Sequence, residues 1–145
     1  MLVEERDPGD LELAALLDAA FAELVVRYGL EGRSQVKDGA RFLVASVDGL
    51  AVGCGAVQHV DDGTGELKRM YVLPDHRGRG VARSLLSALE DLARDLGYRR
   101  LRLATGLRQP EAIALYEKCA YTLTESYGKY VDAPLVRCYQ KELAQ

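Results

Sequence analysis

The chain has 145 residues, 48% of them hydrophobic and 28% charged, with a formal net charge of -3. That is enough to bury a core in a single domain over residues 1–145, and the acidic balance excludes a global attraction to nucleic acid. No apolar run is long enough to cross a bilayer, and the start Met1-Leu2-Val3-Glu4-Glu5 is unlike a signal peptide, so a cytoplasmic protein with no membrane partner is expected. Cys54, Cys119 and Cys138 are odd in number and lack metal-ligand spacing, and His59 and His76 stand isolated. Reduced core thiols and no bound metal are the expectation.

In chain order, Leu2 to Glu5 reads as a short strand and Asp7-Pro8-Gly9-Asp10 as a turn with Asp10 as helix N-cap. Leu13, Leu16, Leu17, Ala20 and Leu24 recur on one face of a helix from Leu11 to Tyr28, ended by Gly29. A polar loop from Glu31 to Gly39 leads to strands Phe42–Val47 and Leu50–Val57, joined through the hairpin-forming pair Asp48-Gly49. Gly53 and Gly55 fall inside the second strand and mark a bulge or a close backbone approach. Residues 61–65 turn the chain into a strand from Glu66 to Leu73. A helix from Val81 to Leu96 stops at Gly97, a strand follows from Arg100 to Ala104, and Pro110 opens a helix to about Cys119. Strands Tyr121–Glu125 and Leu135–Leu143 close the chain. The helix between Leu73 and Arg100 is a right-handed crossover, which makes its two flanking strands parallel neighbours in a mixed α/β sheet.

The segment Arg77-Gly78-Arg79-Gly80-Val81-Ala82 stands between that strand and that helix. A Gly-rich turn opening a helix presents unpaired backbone N–H groups and the positive end of the helix dipole, a cradle suited to phosphate. Lys68, Arg69, His76, Arg77, Arg79 and Arg83 put the basic character of an acidic chain in this neighbourhood. A P-loop would need Gly-Lys-Ser/Thr, and a dinucleotide fingerprint a small residue where Arg83 stands.

Arg77, Gly80 and Ala82 fill the three fixed places of the acyl-CoA pyrophosphate loop of the GCN5-related N-acetyltransferases, and the chain resembles that family. Ala112-Ile113-Ala114-Leu115-Tyr116-Glu117-Lys118 resembles its second signature, a helix carrying a tyrosine. The likeness is good over residues 41 to 125 and poor at both ends. It implies a single-domain GNAT fold: a mixed, mostly antiparallel sheet of about six to seven strands, parallel fourth and fifth strands that splay apart, and about four flanking helices. Acetyl-CoA would lie in the V between the splayed strands. Met70, Tyr71 and Val72 would offer backbone bonds to the pantetheine, residues 77 to 82 would hold the pyrophosphate, and Gln109 would stand in for the family's asparagine.

The implied activity is acetyl transfer from acetyl-CoA to a primary amine of a small molecule or peptide, directly in a ternary complex. The alternatives are a non-catalytic acyl-CoA-binding module, another acyl donor, or a non-amine acceptor. An amine of pKa about 10.4 costs roughly 4–5 kcal/mol to hold neutral at pH 7 unless a base assists. Glu66, eleven residues before Arg77, has the spacing of the catalytic glutamate in histone-acetylating relatives; pairing with Lys68 or Arg69, or simple solvation, is its structural alternative. Ala104 stands where many relatives carry a second acidic residue. A backbone N–H near Tyr71 or Val72 would meet the oxyanion. Tyr116 is the general-acid candidate, its phenol able to protonate the departing thiolate, and core packing is its alternative role. The acceptor would sit between residues 28–39 and 126–134, where Tyr127-Gly128-Lys129-Tyr130 either covers it or lines a homodimer contact.

Overall fold

The structure is a computed structural model and describes residues 1–29 and 35–143. Among these, seven strands form one sheet in the order β1-β2-β3-β4-β5-β7-β6. The strands are β1 (Leu2–Arg6), β2 (Arg41–Val47), β3 (Leu50–Asp61), β4 (Thr64–Val72), β5 (Arg100–Gly106), β6 (Thr122–Thr124) and β7 (Val136–Glu142). Helices α1 (Leu11–Tyr28), α2 (Val81–Asp95) and α3 (Pro110–Lys118) complete the layers, with single 3₁₀ turns at Pro74–His76 and Gly128–Tyr130. Three α-helices among the described residues, rather than about four, is the correction to the expected architecture. The polar loop expected over Glu31–Gly39 lies partly outside the described residues.

Sequence periodicity places the sheet between two cores. Along β2, Phe42 and Val44 face the α1 layer while Leu43 and Ala45 face the α2 layer, the period-2 alternation of a strand covered on both sides. Leu13 and Leu16 of α1 fill the first core, and Val81, Leu85, Leu86 and Leu89 of α2 fill the second. The local signals hold as well. Asp10 accepts a hydrogen bond from the Leu13 N–H at 2.9 Å, Gly29 caps α1 at φ 75°, and Asp48 and Gly49 both take positive φ in the β2–β3 hairpin.

Gly53 and Gly55 serve close packing on α2. A Cβ at Gly53 would lie 2.9 Å from Leu85 Cδ1, and one at Gly55 would lie 2.6 Å from Met70 Sδ and 2.7 Å from Leu89 Cδ1. Gly55 also sits opposite a bulge. Cys54 pairs with Tyr71 and Ala56 with Lys68, so two β4 residues, Arg69 and Met70, oppose one of β3, and Arg69 takes φ 58°.

Only β4 and β5 run parallel, and their pairing is short: Thr64, Gly65 and Glu66 against Arg100, Leu101 and Arg102. Beyond Glu66 the strands part. β5 continues to Gly106 paired with β7 alone, and β4 continues to Val72 paired with β3 alone. The edges that face one another there have no strand between them, which opens a V.

Candidate active site

A cleft of about 950 Å³ occupies this V. Its walls are β4 from Leu67 to Val72, β5 from Leu103 to Gly106, the buried side of α1, the start of α2 and the inner side of α3. At the splayed end of β5, Tyr28 packs so tightly on Gly106 that a Cβ there would lie 1.8 Å from its hydroxyl oxygen. The Arg108 N–H donates to that hydroxyl at 2.9 Å, and Arg27 reaches back to the Arg108 carbonyl at 2.8 Å.

At the open end, the loop after Val72 enters α2 through Gly80, which adopts φ 83° and ψ 6° and offers no side-chain cap. Gly78 is also left-handed at φ 76°. Both positions favour glycine on backbone grounds, because a side chain there costs about 1–2 kcal/mol. No described atom lies within 4 Å of a Cβ placed on either residue, so the loop surface is open space that a ligand could enter and a side chain would fill. The α2 N-terminus therefore presents uncapped N–H groups and its dipole to the cleft.

The expected binding residues divide by what they touch. Met70, Tyr71, Val72, Arg77, Gly78, Gly80, Val81, Ala82 and Gln109 all line the cleft, and Arg79 is exposed and does not. Arg77 departs from the role of a free phosphate ligand. Its Nε donates to the Val72 carbonyl at 2.9 Å and its guanidinium meets both Glu23 carboxylate oxygens at 2.8 and 3.0 Å. It ties the loop to α1 and to the end of β4. Gln109 sits at the N-cap position of α3 without a side-chain cap bond.

The basic residues that sequence placed around the loop fall into two groups. Arg77, Arg79 and Arg83 are at the loop, whereas Lys68 and Arg69 lie four and three residues before the end of β4. At about 3.3 Å per residue that separates Lys68 from Val72 by roughly 13 Å.

Tyr116 lies where both of its expected roles overlap. It is 5% exposed, belongs to the main core, contacts the Tyr121 ring edge-on at 5.7 Å, and lines the cleft. Burial pushes its phenol pKa well above the usual value, so it stays protonated throughout the neutral range.

Glu66 is placed differently from a base that touches substrate. It is 4% exposed and is not part of the cleft wall. Lys68 Nζ approaches its Oε2 at 3.2 Å, the Tyr127 hydroxyl donates to the same oxygen at 3.0 Å, and Arg102 meets Oε1 at 3.5 Å. The Arg102 guanidinium also stacks on the Tyr127 ring at 3.7 Å. The ion pair with Lys68 that sequence offered as the structural alternative is thus present, and it extends to Arg102 and Tyr127. Sequence had no signal for these two partners, which come from β5 and from the segment before β7. Ala104 lines the cleft with no carboxylate.

A seven-stranded α/β fold with a splayed parallel pair, a cleft running to an uncapped helix N-terminus and a buried tyrosine on its wall defines a protein built to take an extended, anionic-ended ligand. Comparison with known proteins makes the class specific. The sequence profile of the Acetyltransferase (GNAT) family matches residues 11–121. An IAA acetyltransferase of Azospirillum brasilense is 41% identical over 115 residues, which are 79% of this chain and 75% of that protein. Against mouse and rat N-acetyltransferases of the family 8 type, the chain spans under half of their length. A Klebsiella pneumoniae protein described as an acyl-CoA N-acyltransferase superimposes with TM-score 0.84 at 34% identity, covering 99% of this chain and 97% of that one. An acetyltransferase of Salmonella typhimurium, solved with its cofactor acetyl-CoA, shares the fold at TM-score 0.73 and 23% identity, covering 100% and 95%. The chain belongs to the GNAT acetyltransferase family.

Proposed function

We propose that the protein transfers an acetyl group from acetyl-CoA to a primary amine by direct attack in a ternary complex. The observation that carries this reading is the open V between β4 and β5, which runs from the uncapped α2 N-terminus to the buried phenol of Tyr116. The cleft residues fit the cofactor. Backbone N–H groups from Gly78 to Ala82 would hold the pyrophosphate, with Arg83 adding charge, and the open edge of β4 at Met70, Tyr71 and Val72 would pair with the pantetheine. Gln109 faces it from α3. When bound, acetyl-CoA supplies an activated thioester carbonyl.

Each side chain then has a defined task. Tyr116, kept protonated by burial, donates its proton to the leaving sulfur. A backbone N–H of Tyr71 or Val72 stabilises the developing oxyanion. Glu66 holds Lys68, Arg102 and Tyr127 in place as a positioning residue, and the acceptor's proton passes to water. Arg77, through Val72 and Glu23, keeps the loop registered to the cleft.

The test is ligand-induced stabilisation. CoA binding only the native state raises Tm by mass action. Gly80→Val should remove that increment, because its side chain fills the space above the loop, and Arg83→Gln should reduce it without backbone strain. An increment unchanged in both variants would refute the loop as the pyrophosphate site.

A further inference from the structure

Tyr116 stands in the last turn of a short helix. α3 has nine residues, and among them only Tyr116 is buried. Helix ends fray unless they are tied down, so the direction of that phenol depends on what fixes the C-terminus of α3.

The backbone supplies the first tie. Ala120 takes φ 72°, the Tyr121 N–H donates to the Tyr116 carbonyl at 3.0 Å, and the Ala120 N–H donates to the Glu117 carbonyl at 3.3 Å. This is a Schellman cap, in which the residue after the left-handed position packs on the residue whose carbonyl it holds. Those two residues are Tyr121 and Tyr116, whose rings meet edge-on at 5.7 Å. Tyr121 is anchored in turn. It is buried, its hydroxyl donates to Glu90 Oε2 at 2.8 Å, and burial and then that carboxylate keep the phenol protonated. Glu90 is itself buried on α2, where both of its oxygens accept from Lys141 Nζ of β7 at 3.1 Å.

Packing alone does not call for this set. A buried ion pair often contributes no more stability than apolar side chains of the same volume, whereas its hydrogen bonds have direction. Tyr121 and Glu90 are not part of the cleft wall; Tyr116, on which Tyr121 packs, is. Glu90 also lies on the helix that carries the glycine turn at its start, nine residues or about 14 Å along from Val81. One rod thus links the phosphate end of the cleft to the seat of the phenol.

We propose that Tyr121 and Glu90 are positioning residues for the transfer, holding the Tyr116 hydroxyl where the departing sulfur meets it; this rests on the acetyltransferase reading above. As the thioester C–S bond breaks, its electron pair goes to sulfur and the Tyr116 proton follows. Reacting atoms must stand about 3–3.5 Å apart, and a displacement of about 1 Å costs up to about a hundredfold.

The experiment is a double-mutant cycle. Tyr121→Phe keeps the ring and the cap and deletes the hydroxyl that Glu90 holds. It should lower kcat about fivefold or more with the donor KM within about twofold, and a donor with a more acidic thiol should lose less. In a Tyr116→Phe background the same change should cost less than about twofold, because no hydroxyl is left to position. Tyr121→Phe combined with Glu90→Leu leaves no tyrosine hydroxyl or carboxylate buried there, so it should keep the fold and still show the loss. Fluorine NMR of cofactor-free protein labelled with 3-fluorotyrosine, its Tyr116 signal assigned by loss in Tyr116→Phe, reads position without turnover. One narrow Tyr116 resonance is expected in the wild type and a broadened or split one in Tyr121→Phe. Full turnover in Tyr121→Phe or in the apolar pair, an equal loss in both backgrounds, or an unchanged resonance overturns the proposal and leaves the acid role of Tyr116 intact. A wild type that transfers no acetyl group, or a Tyr116→Phe variant at full rate, fails the reading beneath it and overturns the proposal as well.

Discussion

Replacing Glu66 by glutamine separates a structural carboxylate from a catalytic one. Glutamine keeps the shape and an oxygen that can accept from the Tyr127 hydroxyl, and it deletes only the charge. Lys68 at 10% and Arg102 at 29% side-chain exposure then lose the anion that they share at 3.2 and 3.5 Å. Breaking a buried ion pair from one side costs about 3–5 kcal/mol. Because Arg102 is partly solvated and its contact is long, a loss of about 2–3 kcal/mol is expected. For a chain of this size that lowers Tm by roughly 6–10 °C. Thermal unfolding followed by circular dichroism measures this directly. Turnover at saturating acceptor should fall no more than about fivefold, with an unchanged pH profile, since no proton is routed to Glu66. A loss of about 10²–10⁴ at pH 7 that shrinks at high pH, with stability intact, would refute the positioning role and make Glu66 the base.

Tyr116→Phe should lower turnover at least about tenfold while CoA still stabilises the variant, and a donor with a more acidic thiol should recover much of that loss; full activity with every donor would reduce Tyr116 to core packing. Ala120 holds φ 72° after α3, so Ala120→Gly should relieve about 1 kcal/mol of strain and raise Tm by about 3 °C in a thermal melt. Burial raises the phenol pKa of Tyr116, and burial together with a nearby carboxylate raises those of Tyr121 and Tyr127. In the unfolded chain these groups ionise near the ordinary value of about 10, so above that pH the unfolded state releases protons first and stability falls as pH rises. An alkaline titration should therefore show their tyrosinate absorbance only as the fold opens.

Much of this molecule is local enough to be written in short stretches of sequence. Helix limits at Asp10 and Gly29, the Asp48-Gly49 hairpin and the α2 entry at Gly80 follow from one or two residues each. The strand ends were less legible. β3 runs on to Asp61 and β4 starts at Thr64, and Gly65 near that start packs beneath Tyr98, a partner more than thirty residues away. The glycine turn before α2 was legible as backbone, yet the side chain of Arg77 was not, since its partner Glu23 lies on α1. The network around Glu66 was hardest to read. Glu66, Lys68, Arg102, Tyr127 and Tyr130 come from three separate segments, and neither periodicity nor spacing predicts that they share one network. At Ala120 only the backbone angle reveals the strain.

Mass spectrometry of the wild-type protein incubated with acetyl-CoA and an amine panel tests acetyl transfer most directly. The products expected are free CoA and acetylated amine in equal amounts, with the protein itself unmodified at every time point. CoA release without acetylated amine, or an acetyl group lodged on the protein before it reaches the acceptor, would contradict direct transfer in this cleft.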